Sequence, residues 1–526
     1  LRKEGIVRAA GVVGLGTFLS RIFGLVRLQV IAYIFGYSAA TDAFWIAFTI
    51  PNLLRSLLAE GALSTAFIPV LSEWLTKKGK DLAYGLVNNV LNILILLLAG
   101  LVVLGVFLAP RYVPYIAFGF PGDSPQLALA VRLTQVMFPF LIFISLAALV
   151  MATLNCRGHF ATPAFAPVLF SITVISSVIL LHRTYGIYSL AIGVVAGGGA
   201  QLLFQIPPLI RRGFGYRFAL SFNHPGVRKI GRLIGPATLG GITLQANIII
   251  NRIFASTLPT GSISALQYAM RLIQFPLGIF AIAVSTAIFP ALSSLAAEKN
   301  MGEMRRVVSL GIRMVLLVLI PSTLGLIIIR KTLISLLFEH GAFLAQDSLM
   351  TAQALFYYAL GLLAMGEVMV LNRAFYSLQE ILVPVKVSLF VLFLNVLLNF
   401  LLISSLKHSG LALATSISMI CNMIILLILL RRRIKGLEGK IILASFWKIC
   451  LVSILMVGGV YFILEGIPSL VWISSTSSEI IRVLAAIGTG ALIFFLLTYL
   501  LKIEEFKMVL RAFGKKSEPQ ISSDGD

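Results

Sequence analysis

Between Thr17 and Pro69 the sequence is apolar enough to cross a bilayer, except at five charged residues: Arg21, Arg27, Asp42, Arg55 and Glu60. A charge near the bilayer centre costs at least ~2.5–3.5 kcal/mol, so several in two adjacent spans imply a polar cavity between helices. Arginines lining such a cavity suit an anion, best a phosphate or diphosphate, because the guanidinium fork donates parallel hydrogen bonds to paired oxygens. Farther along, Gln267, Arg271 and Gln274 recur at i, i+4 and i+7, a polar stripe on an otherwise apolar helix. Ser20 precedes Arg21, and Asn52 lies one turn before Arg55. The functional reading is that Arg21, Arg27, Arg55 and Arg271 hold an anionic head group, with Ser20, Asn52, Gln267 and Gln274 beside them. Asp42 and Glu60 are then gate partners or counter-charges. The plainer reading is that each arginine snorkels to an interface or neutralises one acid, but two acids cannot neutralise four cations. Arg21 and Arg27 are six residues apart, about 240° around a helix, so they share a face only if the helix is distorted. Gly24 makes that possible.

A second polar set is Asn251, Asn395, Asn399 and Thr415. Its oxygens form a candidate cation site, for sodium, although interhelical hydrogen bonding is the simpler role. Glu367 is a lone intramembrane acid, either a proton site or a partner of Arg373. No histidine lies near cysteines or acids at ligand spacing, so no metal site is expected. No nucleophile–base pair, phosphate-binding glycine loop or paired acidic motif points to an enzyme. Cys156, Cys421 and Cys450 are scattered and read as small buried residues.

The elements that must position these groups are membrane helices. The chain has 526 residues, 59% of them hydrophobic and 12% charged, with mean hydropathy +1.00. Apolar runs of about 20 residues recur throughout, which gives an all-α polytopic membrane protein of about fourteen transmembrane helices. The basic N-terminus with its apolar run is read as a retained first span rather than a signal peptide. The net charge of +22 could suggest nucleic acid, but Lys and Arg fall mostly in alternate short loops, a topology signal placing both termini in the cytoplasm.

ALSTAFIPVLS at 62–72 matches AVSTAIFPALS at 283–293 with seven identities at an offset of 221, and Pro163 and Pro384 repeat at the same offset. That offset covers six spans, so two lobes should keep one orientation, related by an axis along the membrane normal. The expected organisation is a six-helix lobe over 1–210, a basic and aromatic interfacial linker at 211–228 and a second six-helix lobe over 229–432. Two further helices at 433–502 and a cytoplasmic tail at 503–526 complete the chain.

The segments SRIFGLVR, ATDAFWIAFTIPNLLRSLLAEGALSTAFIPVLSEW, YAMRLIQFPLGIFAIAVSTAIFPALS and AFYSLQEILVPVK closely resemble the MurJ (MviN) family of bacterial lipid II flippases. That family belongs to the multidrug/oligosaccharidyl-lipid/polysaccharide exporter superfamily. The resemblance implies two six-helix lobes around a central cavity, with helices 13 and 14 forming a groove for the undecaprenyl tail. It further implies alternating access that moves the diphosphate-linked peptidoglycan precursor from the cytoplasmic to the periplasmic leaflet of the inner membrane. The family's essential cavity arginines fall on Arg21, Arg27, Arg55 and Arg271, and its gate acid on Asp42. Two departures are visible. Many members carry an acid immediately after the second arginine, where this chain has Leu28. Sodium-linked members carry acids among the positions matched to Asn251, Asn395 and Asn399, so coupling to membrane potential competes with sodium coupling. No cofactor is expected, and the protein is expected to act as a monomer, near cell-wall synthases. A flippase for another polyprenyl-linked oligosaccharide (O-antigen or capsule) is the nearest alternative. A drug/cation antiporter of the superfamily would favour acids and aromatics over arginines. A polymerase acting on a lipid diphosphate would need a large extracytoplasmic loop, and every such loop is short.

Overall fold

The computed structural model describes residues 3–57, 64–466 and 475–508, with side chains placed for 11–57, 66–234, 245–465 and 480–508. Helices dominate: α1 (Lys3–Phe35), α2 (Ala39–Arg55), α3 (Ser64–Lys77), α4 (Lys80–Ile116), α5 (Pro125–Met137), α6 (Phe140–Cys156), α7 (Ala161–Tyr185) and α8 (Tyr188–Arg211). They continue as α9 (Pro225–Ser256), α10 (Ser262–Pro276), α11 (Ile282–Ala297), α12 (Met301–Phe338), α13 (Ala345–Ser377), α14 (Leu382–Arg433), α15 (Gly439–Gly466) and α16 (Ser475–Leu500). Eleven helical stretches among the described residues are long and apolar enough to cross a membrane. Exposed phenylalanines and leucines on α4, α14, α15 and α16 follow from that, since hydrocarbon is their solvent. The three cysteines are half-buried free thiols.

The chain separates into two compact units, Leu1–Tyr268 with Phe338–Met350, and Ala269–Leu337 with Thr351–Asp526. In the first, α7 packs on α1 and α8. The α1–α7 crossing is tight: a methyl on Gly16 would come within 2.8 Å of Ala164. A cluster of Phe67, Leu71, Leu86, Leu149 and Leu154 fills the space where α3, α4 and α6 meet.

The 221-residue offset recurs in the backbone. Gly186, which ends α7, has φ 52° and ψ −132°. Lys407, where α14 proves to be two helices meeting at a kink, has φ 50° and ψ −131°. Gly158 and Gln379, one offset apart, both have positive φ, 70° and 61°. The proline-bearing spans repeat too: π-helical turns lie at Ser56–Leu57 and at Leu277–Ala281. Such widened turns release backbone bonding where a span bends.

Side-chain clasps follow the same spacing. Arg212 donates to the carbonyl of Arg157 (2.8 Å) and to His159 Nδ1 (3.1 Å), tying the end of α8 to the α6–α7 turn. One offset on, Arg433 pairs with Glu380, tying the end of α14 to the α13–α14 turn. The Tyr84 hydroxyl donates to the Arg212 carbonyl (2.9 Å), and Arg305, one offset from Tyr84, donates to Ile434 (2.6 Å).

Candidate functional site

α1 is helical without interruption through Gly24, so the distortion that would bring Arg21 and Arg27 onto one face is absent there. Both arginines are half-buried. The Arg27 guanidinium lies 5.1 Å from the centre of the Phe170 ring on α7, a cation–π contact. Leu28 is 1% exposed. The residue that replaces the expected acid is therefore a core side chain.

Arg55 closes α2, and its Nε donates to Asn52 Oδ1 at 3.1 Å; the predicted pairing of these two on one face is present. Immediately after, Ser56 Oγ accepts from Gln245 of α9 at 2.8 Å. Glu60 lies outside the described residues. In the second unit Arg271 donates to Gln274 Oε1 at 3.1 Å, so these two members of the predicted stripe meet. Gln267 does not join them. It accepts from Arg252 on α9, which also reaches the Ile263 carbonyl at 3.5 Å. Arg252 is a further arginine inside an apolar helix that the sequence reading passed over. Its signal was available: a cation four residues before the end of α9, fifteen before a glutamine on the next helix. Ser20, half-buried on α1, neighbours Arg21 in sequence.

Asp42 is the most completely bound acid of the predicted set among the described residues. It is 2% exposed and sits in the first turn of α2. Its Oδ2 accepts from the Gly261 amide (2.6 Å), while Oδ1 accepts from the Ser264 amide (3.0 Å) and the Ser264 hydroxyl (2.7 Å). A carboxylate at the amino end of α10 satisfies amides with no partner inside the helix and opposes the positive end of its dipole. The local chain is built for this approach. Gly261 has φ +91°, and a methyl there would lie 3.0 Å from the Tyr37 ring. Gly36 and Gly341 are tighter: added methyls would reach 2.1 Å from the Ala342 carbonyl oxygen and 2.4 Å from that of Tyr33. Ala342 donates its amide to the Tyr33 carbonyl at 2.8 Å. Tyr37, Tyr268, Phe338 and Phe343 pack edge to face around this corner, with Tyr37–Phe343 centroids 4.9 Å apart and Tyr268–Phe338 centroids 5.1 Å apart. The result is a sealed end within the first unit, closed by α1, α2, the start of α10 and the 338–343 turn.

The candidate cation residues divide. Asn399 donates to Asn395 at 3.2 Å, both fully buried on α14, and the Thr415 hydroxyl is turned to its own helix at Leu411 (2.9 Å). Asn251, in the first unit, donates to Asn247 at 3.0 Å. Among the described residues no cluster of three or more His, Cys, Asp or Glu is grouped to hold a metal. Glu367 is 3% exposed on α13, and among the described residues no ion pair joins it to Arg373. Arg373 instead stacks over Phe289 at 5.2 Å.

Residues 31–481 match the family model described as lipid II flippase MurJ. A probable lipid II flippase MurJ from Buchnera aphidicola subsp. Schizaphis graminum is 35% identical over 96% of this chain and 98% of its own length. The lipid II flippase MurJ of Burkholderia cenocepacia is 37% identical over 79% of this chain and 82% of its own. Among solved structures, a lipid II flippase MurJ in an inward closed conformation superposes with TM-score 0.78 at 28% identity, covering 95% of this chain and 99% of the other. An inward-facing multidrug resistance MATE family transporter matches at TM-score 0.66 and 14% identity, over 79% of this chain and 94% of its own, a likeness of fold alone. With a family match that runs across nearly the whole chain, this protein belongs to the MurJ family of lipid II flippases.

Proposed function

We infer that this multi-pass membrane protein, a transporter rather than an enzyme, flips lipid II by alternating access, and that Arg21, Arg27, Arg55 and Arg271 bind its diphosphate, Arg21 and Arg27 reaching it from different faces of α1. The observation that carries the reading is the set of arginines retained inside apolar helices of a chain matched to the family model over residues 31–481 and to a family relative over 96% of its length. Each would cost several kcal/mol in hydrocarbon without a polar cavity or an anion to meet. A diphosphate offers paired oxygens for bidentate guanidinium contacts. Ser20, Asn52, Gln267 and Gln274 would supply neutral donors around it, and the Arg55–Asn52 and Arg271–Gln274 bonds hold two of the forks in place meanwhile.

Asp42 is proposed as the gate acid on the extracytoplasmic side. Three donors at the start of α10 hold it, and opening requires those bonds to be exchanged for water. Glu60 is kept as its counterpart on the same span. The transmembrane helices number fourteen in this reading, six per lobe over 1–210 and 229–432 plus two that form the lipid-tail groove. Both termini face the cytoplasm, as the basic loops indicate. Asn251, Asn395, Asn399 and Thr415 are uncharged, so a sodium ion bound there would gain no carboxylate; coupling to membrane potential alone fits the composition better. The protein acts as a monomer beside cell-wall synthases.

The experiment is complementation of a flippase-depleted strain by Arg21→Ala, Arg55→Ala and Arg271→Ala, each checked for folded protein in the membrane. All three are expected to fail, with loss of most activity. Full complementation by the three single variants would overturn the arginine assignment.

A further inference from the structure

The α8–α9 linker is an extended strap with one edge fixed and the other exposed. Three asparagines of α4, an adjacent pair and one a turn later, hold the fixed edge, each almost completely buried. Asn88 donates to the Gly215 carbonyl (2.9 Å) and Asn92 to the Ala219 carbonyl (3.0 Å). Asn89 bonds Ser221 twice, donating to its carbonyl (3.1 Å) and accepting from its amide (2.8 Å). The Tyr216 hydroxyl returns a bond to Asn92 Oδ1 at 2.8 Å. These five hydrogen bonds pair ten polar groups along a partly buried seam, and the register of the strap is set.

Phe214 turns inward against the Tyr84 ring, and the side chains after it are left on the outer edge. Tyr216, Phe218, Leu220 and Phe222 are exposed, Phe218 at 76%. In the linker and the helix ends beside it, Arg211 and Arg217 are exposed and without an ion-pair partner among the described residues. No aspartate or glutamate occurs between Asp123 and Glu298, so the linker itself carries only positive charge, and the nearby Glu73 is already paired with Lys77 and Lys229. Aromatic rings interleaved with arginines, immediately beyond a membrane helix, match the boundary between acyl chains and negatively charged head groups.

We propose that the 216–222 strap is a lipid-recognition edge that seats its exposed aromatic side chains in the head-group region of an anionic leaflet, with the flanking arginines on lipid phosphates. The Asn88, Asn89 and Asn92 ladder holds the first lobe to that surface. The choice of the cytoplasmic leaflet rests on the orientation proposed above; the contact with anionic lipid does not.

The test places an indole on the exposed edge. Phe218→Trp in the full chain is reconstituted into vesicles of phosphatidylcholine with or without phosphatidylglycerol, and its emission is taken as the difference from the parent protein. A blue-shifted emission quenched by brominated acyl chains is expected, with stronger quenching when the brominated lipid is phosphatidylglycerol. Arg211→Gln with Arg217→Gln should lower that lipid preference about fivefold per charge removed, with emission still blue-shifted. Phe222→Trp serves as a second probe should Phe218→Trp fail to fold. Emission typical of water and indifferent to brominated lipid would overturn the proposal and leave the edge for a soluble protein partner. Equal quenching by neutral and anionic lipid would overturn its anionic part. Neither result depends on lipid II translocation, so loss of transport would count against the transport reading alone.

Discussion

At the scale of single residues, the candidate arginines were legible because a charge in hydrocarbon is costly wherever the chain folds. Their partners were not. Gln267 looked like the end of a stripe with Arg271, yet it accepts from Arg252, because helical spacing gives a face and says nothing of what the neighbouring helix presents. Asp42 was legible as a charge to be explained, and its three donors come from residues about 220 positions away. Asp42→Asn keeps the shape but loses the charge and turns one of the two accepting oxygens into an NH2 that cannot accept, where bonds to ionised groups contribute roughly 1.5–3 kcal/mol. The sealed corner should open more often. With native cysteines replaced by serine, a cysteine at Ser262, 1% exposed in the parent, should react about tenfold faster with a membrane-impermeant alkylating reagent when Asp42→Asn is added. An unchanged rate would mean that the carboxylate does not hold the corner.

At the scale of elements, the repeat was legible in eleven residues, and the structure extends it to turns and clasps where no identity remains. Gly186 and Lys407 share one backbone conformation but not a residue type. That conformation suits glycine, and a side chain there is strained by about 1–3 kcal/mol, so Lys407→Gly should stabilise the protein by ~1 kcal/mol after the added chain entropy of glycine. Thermal unfolding in detergent would show a raised Tm; a lowered one would refute the strain. The clasps also differ in chemistry. His159 accepts from Arg212 through Nδ1 and meets Thr162 through Nε2 at 2.7 Å. Burial, and then the Arg212 cation, push its pKa below the ordinary value of 6.5. The folded chain therefore binds this proton less readily than the unfolded chain, and stability falls as pH drops through about 6.5. His224, under burial and Lys78, has the same sign. His159→Gln should reduce the fall in Tm between pH 7.5 and 5.5 without abolishing it (a window chosen to span roughly one unit either side of the histidine range). An unaltered fall would place the pH dependence elsewhere.

At the scale of the whole molecule, hydropathy and loop charge were enough for an all-helical membrane protein, because the bilayer leaves few alternatives to helices. What they could not supply was which chain segment each half of the repeat binds at a given position. Asn92 and Arg313 stand one offset apart and are both 6% exposed. The first anchors the linker strap, while the second pairs with Glu505, whose carboxylate also accepts from Ser445 at 2.9 Å. One fold position thus binds two different chain segments, and polarity alone does not reveal which. The central claim is that the chain moves lipid II across the membrane with its arginines on the diphosphate. Its most direct test is leaflet-resolved detection of lipid II in cells depleted of the native flippase and supplied with this protein or its Arg55→Ala variant. The account predicts periplasmic lipid II restored by the parent chain and nearly absent with the variant, while cytoplasmic lipid II accumulates. Normal periplasmic lipid II without the protein, or with the arginine variant, would contradict it.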